Sequence, residues 1–152
     1  MKTVLLFGPV LLAAGMMQMP STPPVKMGLW ETTVMMKVTM AGMDMPPHPM
    51  KARVCYTADT WAKHIASEQQ KGCQRSNESW TPRGYSFDVS CPSMNGTGHV
   101  QIDFLSAESV HAVTHIEMSP GGHHAVSDIT ADSHFVGVDC GSVSPDKPVM
   151  MP

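Results

Sequence analysis

Apolar and polar residues alternate along several stretches of the chain, and this alternation predicts β-strands. The clearest case is residues 29–40, LWETTVMMKVTM, where Trp30 and Val38 fall on one face and hydroxyl or charged side chains on the other. Turn signals such as Asn95-Gly96 separate the later stretches. The further predicted strands are KARVCY (51–56), CQRSNESW (73–80), GYSFDVSC (84–91), HVQIDFL (99–105), SVHAVTHIEM (109–118) and HAVSDITADSHFVG (124–137).

One stretch has the spacing of a helix instead. After Thr57, apolar residues that include Trp61 and Ile65 recur at steps of three and four. Thr57 can cap the first turn, and Gly72 can end the helix. We therefore predict one amphipathic helix over about residues 58–71, with Trp61 as its packing anchor on the sheet.

The order of these elements indicates the fold class. Two strands, a helix and then a run of hairpins are typical of a mainly β (α+β) protein, with an antiparallel twisted sheet or partly closed barrel and one packed helix. Residues 28–141 are enough for a single domain with one core. The last residues, 142–152, show no periodicity and are predicted to be a disordered tail.

The N-terminal residues predict export. A short positive start, Met1-Lys2, precedes the uncharged apolar stretch TVLLFGPVLLAA at 3–14, which is the layout of a signal peptide. A bilayer span needs roughly 20 apolar residues, so a retained membrane anchor is the less favoured reading. We predict a signal peptide over 1–15, cleavage between 13 and 19, a flexible leader over 16–27 and a secreted or periplasmic protein without a transmembrane segment after cleavage.

All four cysteines follow the predicted signal peptide: Cys55, Cys73, Cys91 and Cys140. An even number in an oxidising compartment predicts two disulfides. A hairpin in which Trp80 faces Gly84 would place Cys73 opposite Cys91, within disulfide reach, and leave the other two cysteines to pair. A four-cysteine zinc site would need closely spaced pairs such as C-x-x-C, which the sequence lacks.

Composition and the absence of known motifs argue against several classes of function. Charged residues make up 15% of the chain and the net charge is -3 with histidine neutral, so we predict no nucleic-acid partner. The sequence contains no G-x-S-x-G elbow, no H-E-x-x-H motif and no glycine-rich phosphate loop. We therefore predict a non-enzymatic protein with no catalytic residues and no cofactor, whose partner is an envelope protein or an apolar ligand.

Methionine is frequent, with 15 among 152 residues. Six of them and one histidine lie in residues 35–50, MMKVTMAGMDMPPHPM. Thioether sulfur suits soft ions such as Cu(I) and Ag(I). The methionine-rich connection within residues 35–50, which also contains glycine and proline, is therefore a candidate copper site. Met35 could be an additional ligand. The candidate ligands are Met43, Met45, His48 and Met50. The alternative is a flexible hydrophobic lip in a chain that is methionine-rich throughout.

A second candidate metal set is built from histidine. The hairpin predicted for residues 98–118 sets His99 against His115 and Asp103 against His111 on its polar face. These side chains could bind zinc or Cu(II), or shift proton affinity near neutral pH. The alternative is a solvated polar face of a histidine-rich sheet.

Several short motifs occur in an order that resembles a known family. They are Gly28-Leu29-Trp30-Glu31, a Met/Pro-rich connection, a strand ending at Cys55 before Thr57-Ala58-Asp59, Gly72-Cys73, Cys91, Gly96-Thr97-Gly98 and Val138-Asp139-Cys140-Gly141. Over residues 26–141 the chain resembles the bacterial exported family called domain of unknown function 3617. The closing Gly-Val-Asp-Cys departs from the family pattern, in which basic residues and then Gly-Asp-Cys are expected. The resemblance implies an exported protein and the same fold, and it implies no activity.

Three functions are compatible with this sequence. We expect an uncharacterised secreted or periplasmic binding or envelope-associated module. The alternatives are a periplasmic Cu(I) or Ag(I)-binding protein that uses the methionine-rich connection, and a carrier of an apolar small molecule.

Overall fold

The computed structural model describes residues 23–61, 72–145 and 147–152. Its strands form one antiparallel sheet in the order β3-β4-β5-β6-β7-β1-β2-β8. The strands are β1 (Gly28–Met40), β2 (Met43–Tyr56), β3 (Gln74–Thr81), β4 (Gly84–Cys91), β5 (Gly96–Ser106), β6 (Ser109–Met118), β7 (Ala125–Gly137) and β8 (Val149–Met151). Because β3 and β8 are its two edges, the sheet is open. The mainly β prediction is confirmed, in the form of an open sheet.

Strand alternation gives the sheet an inner and an outer face. Trp30 of β1 lies opposite Val54 of β2 and Phe135 of β7, and directly opposed residues point to the same side of a sheet. We call the side that carries Trp30 the inner face and the side that carries Glu31 the outer face. The alternation of β1 predicted from sequence therefore separates these two faces.

Aromatic side chains pack together at one end of the inner face, which we call the packed end. Trp30 is 1% exposed, and its ring meets that of Phe135 edge-on at 5.9 Å between centroids. Trp61 extends the cluster to Phe104, with ring centroids 6.4 Å apart. The buried members of this core are Val25, Trp30, Trp61, Tyr85, Phe87 and Phe104. The packed end is therefore the hydrophobic core of the domain.

The helix begins where the sequence predicts it. The described helical residues run from Ala58 to Trp61, and residues 62–71 of the predicted helix lie outside the described part. Thr57 caps the turn, because its Oγ1 accepts a hydrogen bond of 3.2 Å from the backbone N–H of Thr60, and its own N–H donates to Thr60 Oγ1 at 3.0 Å. Trp61 is buried in the core, which confirms its predicted role as an anchor. No helix within the described ranges is long and apolar enough to cross a membrane.

Both predicted disulfides are present. Cys55 bonds to Cys140 across a sequence separation of 85 residues. Cys73 bonds to Cys91 across a separation of 18 residues. The longer bridge ties the end of the domain to β2, and the shorter one closes the hairpin of β3 and β4.

The hairpin of β3 and β4 reaches this pairing through a register that differs from the predicted one. Trp80 lies opposite Tyr85, whereas the sequence analysis placed it opposite Gly84. The register shifts between Ser76 and Ser79, where Asn77 has a φ of 52°. This bulge restores the predicted register at the cysteine end. The disulfide prediction is therefore right and the predicted register at the turn is wrong.

The connection predicted to be irregular after β1 is part of a strand. β2 begins at Met43, eight residues before the predicted start at Lys51, and a turn at Ala41-Gly42 joins it to β1. Three prolines, Pro46, Pro47 and Pro49, lie in this exposed part of β2. Proline is tolerated at a sheet edge, where a missing N–H breaks no ladder. This edge position explains why glycine and proline did not prevent strand formation.

The segment before β1 is held in place from residue 23 onwards. The backbone N–H of Lys26 donates to the Ala107 carbonyl oxygen at 2.8 Å, and the indole N–H of Trp30 donates to the Lys26 carbonyl oxygen at 2.9 Å. Val25 is buried in the core. Residues 23–27 of the predicted flexible leader are thus tied to the sheet. The predicted signal peptide and the rest of the leader lie outside the described residues.

The tail predicted to be disordered also contains ordered structure. Val143 is buried, and Val149–Met151 pairs with Lys51, Ala52 and Arg53 of β2 as strand β8. The disulfide of Cys140 brings the tail to this edge of the sheet. A three-residue strand is too short to show a periodicity in the sequence, so this pairing depends on the tertiary structure.

Candidate functional site

Among the described residues, the inner face forms an apolar groove at the end away from the aromatic core. The groove encloses about 600 Å³. Side chains from β1, β5, β6 and β7 line it, among them Met36, Met40, Val100, Ile116, Met118 and Ile129. The Cys73–Cys91 disulfide and Phe87 complete its wall on the β4 side. The lining makes this groove an apolar concavity that a ligand could occupy.

Small residues create the space in the groove. Ala125 and Ser127 of β7 are both buried there, and neither can fill the volume that a large side chain would occupy. Gly98 of β5 lies opposite Ile116, and a Cβ at Gly98 would lie 2.9 Å from a side-chain carbon of Ile116 and 2.5 Å from the His115 carbonyl oxygen. Glycine at this position therefore permits the close strand packing on which the groove wall depends.

A polar cluster adjoins the groove on β3 and β4. The guanidinium of Arg75 lies 4.4 Å from the ring centroid of Phe87, and its Nη1 donates to the hydroxyl of Tyr85 at 3.3 Å. The Tyr85 hydroxyl donates to the Glu78 carboxylate at 2.5 Å. Burial, together with the hydrogen bond to Glu78, raises the pKa of Tyr85 to about 12. The sequence analysis missed this cluster, although Arg75 stands at an inward position of the predicted strand.

The structure brings the four candidate copper ligands to one face of β2. Met43 lies opposite Met40, and Met45 lies opposite Val38. His48 lies opposite Met36, and Met50 lies opposite Val34. All four partners are alternate residues of the inner face of β1, so the candidate ligands share the face that carries the groove. Met35, the additional candidate, belongs to the outer face, where it lies opposite Pro49 and Thr130.

The second candidate metal set has the predicted register but does not form one cluster. His99 lies opposite His115, and Asp103 lies opposite His111. The two pairs are separated by four residues along each strand, roughly 13 Å at the rise of a β-strand. Within the part of the chain that the structure describes, no three His, Cys, Asp or Glu side chains are arranged to hold a metal ion.

Three histidines of the outer face, His99, His111 and His115, are each hydrogen-bonded to a carboxylate on a neighbouring strand. The Nδ1–carboxylate distance is 2.7 Å from His99 to Asp88 and 2.6 Å from His115 to Asp128. His111 makes the same contact with Asp132 at 2.7 Å. The sequence analysis missed these carboxylates, because it did not establish the registers between β4 and β5 or between β6 and β7.

These contacts perturb the titration of two exposed groups. Hydrogen bonds to Asp128 and then Glu117 raise the pKa of His115. Hydrogen bonds from Asn77 and then His99 lower the pKa of Asp88. The outer face is therefore a polar surface of paired histidines and carboxylates, and the apolar groove is confined to the opposite face.

Comparison with known proteins assigns the chain to a family. The model of the family described as "Protein of unknown function (DUF3617)" matches residues 25–140. This match spans more than half of the chain, and the protein belongs to that family. No curated protein and no solved structure matches the chain.

Proposed function

We propose that this member of the DUF3617 family is an exported, non-enzymatic module that binds a small molecule with a long apolar chain in the groove. The observation that carries this proposal is the groove itself. Its volume of about 600 Å³ lies within the range of roughly 300–1,000 Å³ that is common for small-molecule sites. An apolar concavity of this kind on a soluble surface marks a site that a ligand or partner covers.

The chemistry of the lining supports a flexible apolar chain as the ligand. Unbranched methionine side chains adapt to irregular partners, and Met36, Met40 and Met118 line the groove together with branched residues. Thr114 and Ser127 are the two described residues of the lining that carry a hydroxyl group. A ligand held there gains affinity mainly from burial of apolar surface, which favours an acyl chain over a polar metabolite.

Two features support action outside the reducing cytoplasm. All four cysteines are paired in disulfides, and such bonds persist in oxidising compartments. The predicted signal peptide leads to the same compartment. Mass spectrometry of the protein from a periplasmic or culture fraction tests this part, since a processed N-terminus and no reactive thiol are expected. Four free thiols, or an intact N-terminus in the cytosolic fraction, would contradict export.

The ligand proposal is tested by calorimetric titration of the mature protein with saturated fatty acids of increasing length. Burial of one methylene contributes about 0.8 kcal/mol, or about a fourfold gain in affinity. We expect affinity to rise with each methylene until the groove is filled and then to level off. Affinity that is independent of chain length would overturn the proposal.

A matched pair of variants on β6 locates the binding surface. Ile116 lines the groove, whereas Val113 lies on the outer face and is 40% exposed. Ile116→Arg should weaken fatty-acid binding more than tenfold, and Val113→Arg should leave it unchanged. Ile129→Trp, which fills the groove with an apolar side chain, gives a second measurement if Ile116→Arg does not fold. Equal binding by the groove variants and the Val113 variant would place the ligand elsewhere.

A further inference from the structure

The β1–β2 hairpin contains a bulge that controls where its methionines point. Met36 lies opposite His48, and Val38 lies opposite Met45. One residue of β1, Lys37, is therefore matched by two residues of β2, Pro46 and Pro47, as in a β-bulge. Side chains alternate with a period of two in a regular strand. Because Met45 and His48 are three residues apart, they would point to opposite faces of a strand that had no bulge. The bulge places both on the inner face.

We propose that Met36, Met45 and His48 form a binding site for a soft monovalent metal ion, Cu(I) or Ag(I). His48 and Met36 are directly opposed, so their alpha carbons lie roughly 4.5–5.5 Å apart. Met45 stands next to His48 on the same face of β2. Met50 lies on the other side of His48, roughly 13 Å from Met45 at the rise of a β-strand, so it cannot bind the same ion. Diagonal neighbours on a sheet have Cβ atoms within roughly 7–8 Å, a separation that flexible methionine side chains can bridge.

The donor set selects the class of ion. Two thioethers and one imidazole are uncharged and soft or borderline ligands, which favour Cu(I) and Ag(I) over Mg²⁺ or Ca²⁺. The carboxylate nearest in sequence, Asp44, lies opposite Thr39 of the outer face and accepts a hydrogen bond of 2.6 Å from the Thr39 hydroxyl. The negative charge is therefore directed away from the thioethers.

The ion has access to this site from solvent. β8 pairs only with Lys51, Ala52 and Arg53, so the described structure leaves the edge of β2 uncovered from Met43 to Met50. Met45 is 48% exposed, and Met36 is half-buried. The site thus lies at the rim of the groove proposed for the apolar chain and shares Met36 with it.

The site is tested by titrating the mature protein with Cu(I) under anaerobic conditions, in competition with a chromogenic Cu(I) chelator. We expect one ion per chain. Met36→Leu and His48→Ala should each weaken Cu(I) binding about tenfold or more. Met35→Leu is the matched control, because Met35 is the adjacent residue but points to the outer face, and this variant should bind as the unmodified protein does. Equal losses for Met35→Leu and Met36→Leu, or no binding, would overturn the proposal.

Silver provides a second measurement that needs no substitution. Ag(I) added to protein labelled at the methionine methyl groups should shift the NMR signals of Met36 and Met45, and leave that of Met35 in place. Shifts spread over all methionines would show general thioether binding and contradict a single site. Ile116→Arg should not change Cu(I) affinity, so the metal site and the proposed apolar ligand can fail independently.

Discussion

The two ends of the inner face are built from the same strands, yet one is filled and the other is open. β1 contributes Trp30 to the packed end and Met36 to the groove. β5 contributes Phe104 to the packed end, whereas Gly98 stands near the groove. Side-chain volume therefore falls along β1 and β5 from the packed end to the groove. This change in volume lets a single open sheet hold a core and still leave a cavity.

The comparison indicates a division of roles within one face. Large aromatic residues bury most of the apolar surface and so provide most of the stability. Flexible methionines and small residues at the open end contribute less to the fold and leave room for a ligand. Substitutions at the two ends should therefore have different effects on stability and on binding.

The largest expected effect is a loss of stability, which should differ between the packed end and the groove. Trp30→Ala should reduce the free energy of unfolding by about 3–5 kcal/mol, because Trp30 is 1% exposed and contacts both Tyr56 and Phe135. Met36→Ala at the open end should cost less than half as much. Chemical denaturation of both variants measures the difference. Equal losses would mean that the groove end is part of the stabilising core.

Removal of a disulfide should have the next largest effect on stability, and the two disulfides should differ. Each contributes about 2–4 kcal/mol, and a loop of 85 residues should exceed one of 18 residues by about 1.4 kcal/mol in the chain-entropy description. Replacing Cys55 and Cys140 with serine should therefore destabilise the protein more than replacing Cys73 and Cys91. Urea unfolding of the two double variants tests this order. The reverse order would show that the Cys73–Cys91 disulfide, which lies in the groove wall, contributes more to stability.

A smaller effect should appear at alkaline pH in the polar cluster between the core and the groove. The pKa of Tyr85 is raised to about 12 by burial and by the hydrogen bond to Glu78, above the ordinary value of about 10. The folded state therefore holds this proton more tightly, and stability should fall as pH rises from about 10 to about 12. Tyr85→Phe should flatten this part of the stability profile. A wild-type profile already flat in this range would contradict the assignment.

The smallest effect is expected on the outer face. The pKa of His115 is raised by hydrogen bonds to Asp128 and Glu117. Its contribution to stability is fully present below the ordinary histidine value of about 6.5 and is lost as pH rises through the raised pKa. Asp128→Asn should lower the pKa of His115 in an NMR titration and leave fatty-acid binding unchanged. An unchanged titration midpoint would show that the hydrogen bond to Asp128 does not control it.

Local patterns in the sequence determined much of the fold. The period of two in residues 29–40 identified β1 and its inner face, and both disulfides followed from the cysteine positions. The predicted register of β5 and β6, with His99 opposite His115, is also confirmed. A short connection restricts which residues of two consecutive strands can face each other, so these features can be read from neighbouring residues.

Only the tertiary structure decided how these elements form a site. The bulge at Pro46 and Pro47, which gathers Met45 and His48 on one face, is a property of the pairing between β1 and β2. Strand β8 pairs with β2 near the disulfide of Cys140, where a distant segment meets the edge of the sheet. The groove requires β1, β5, β6 and β7 to meet in one sheet. Contacts between residues far apart in the chain leave no local period, so the sequence alone could not reveal them.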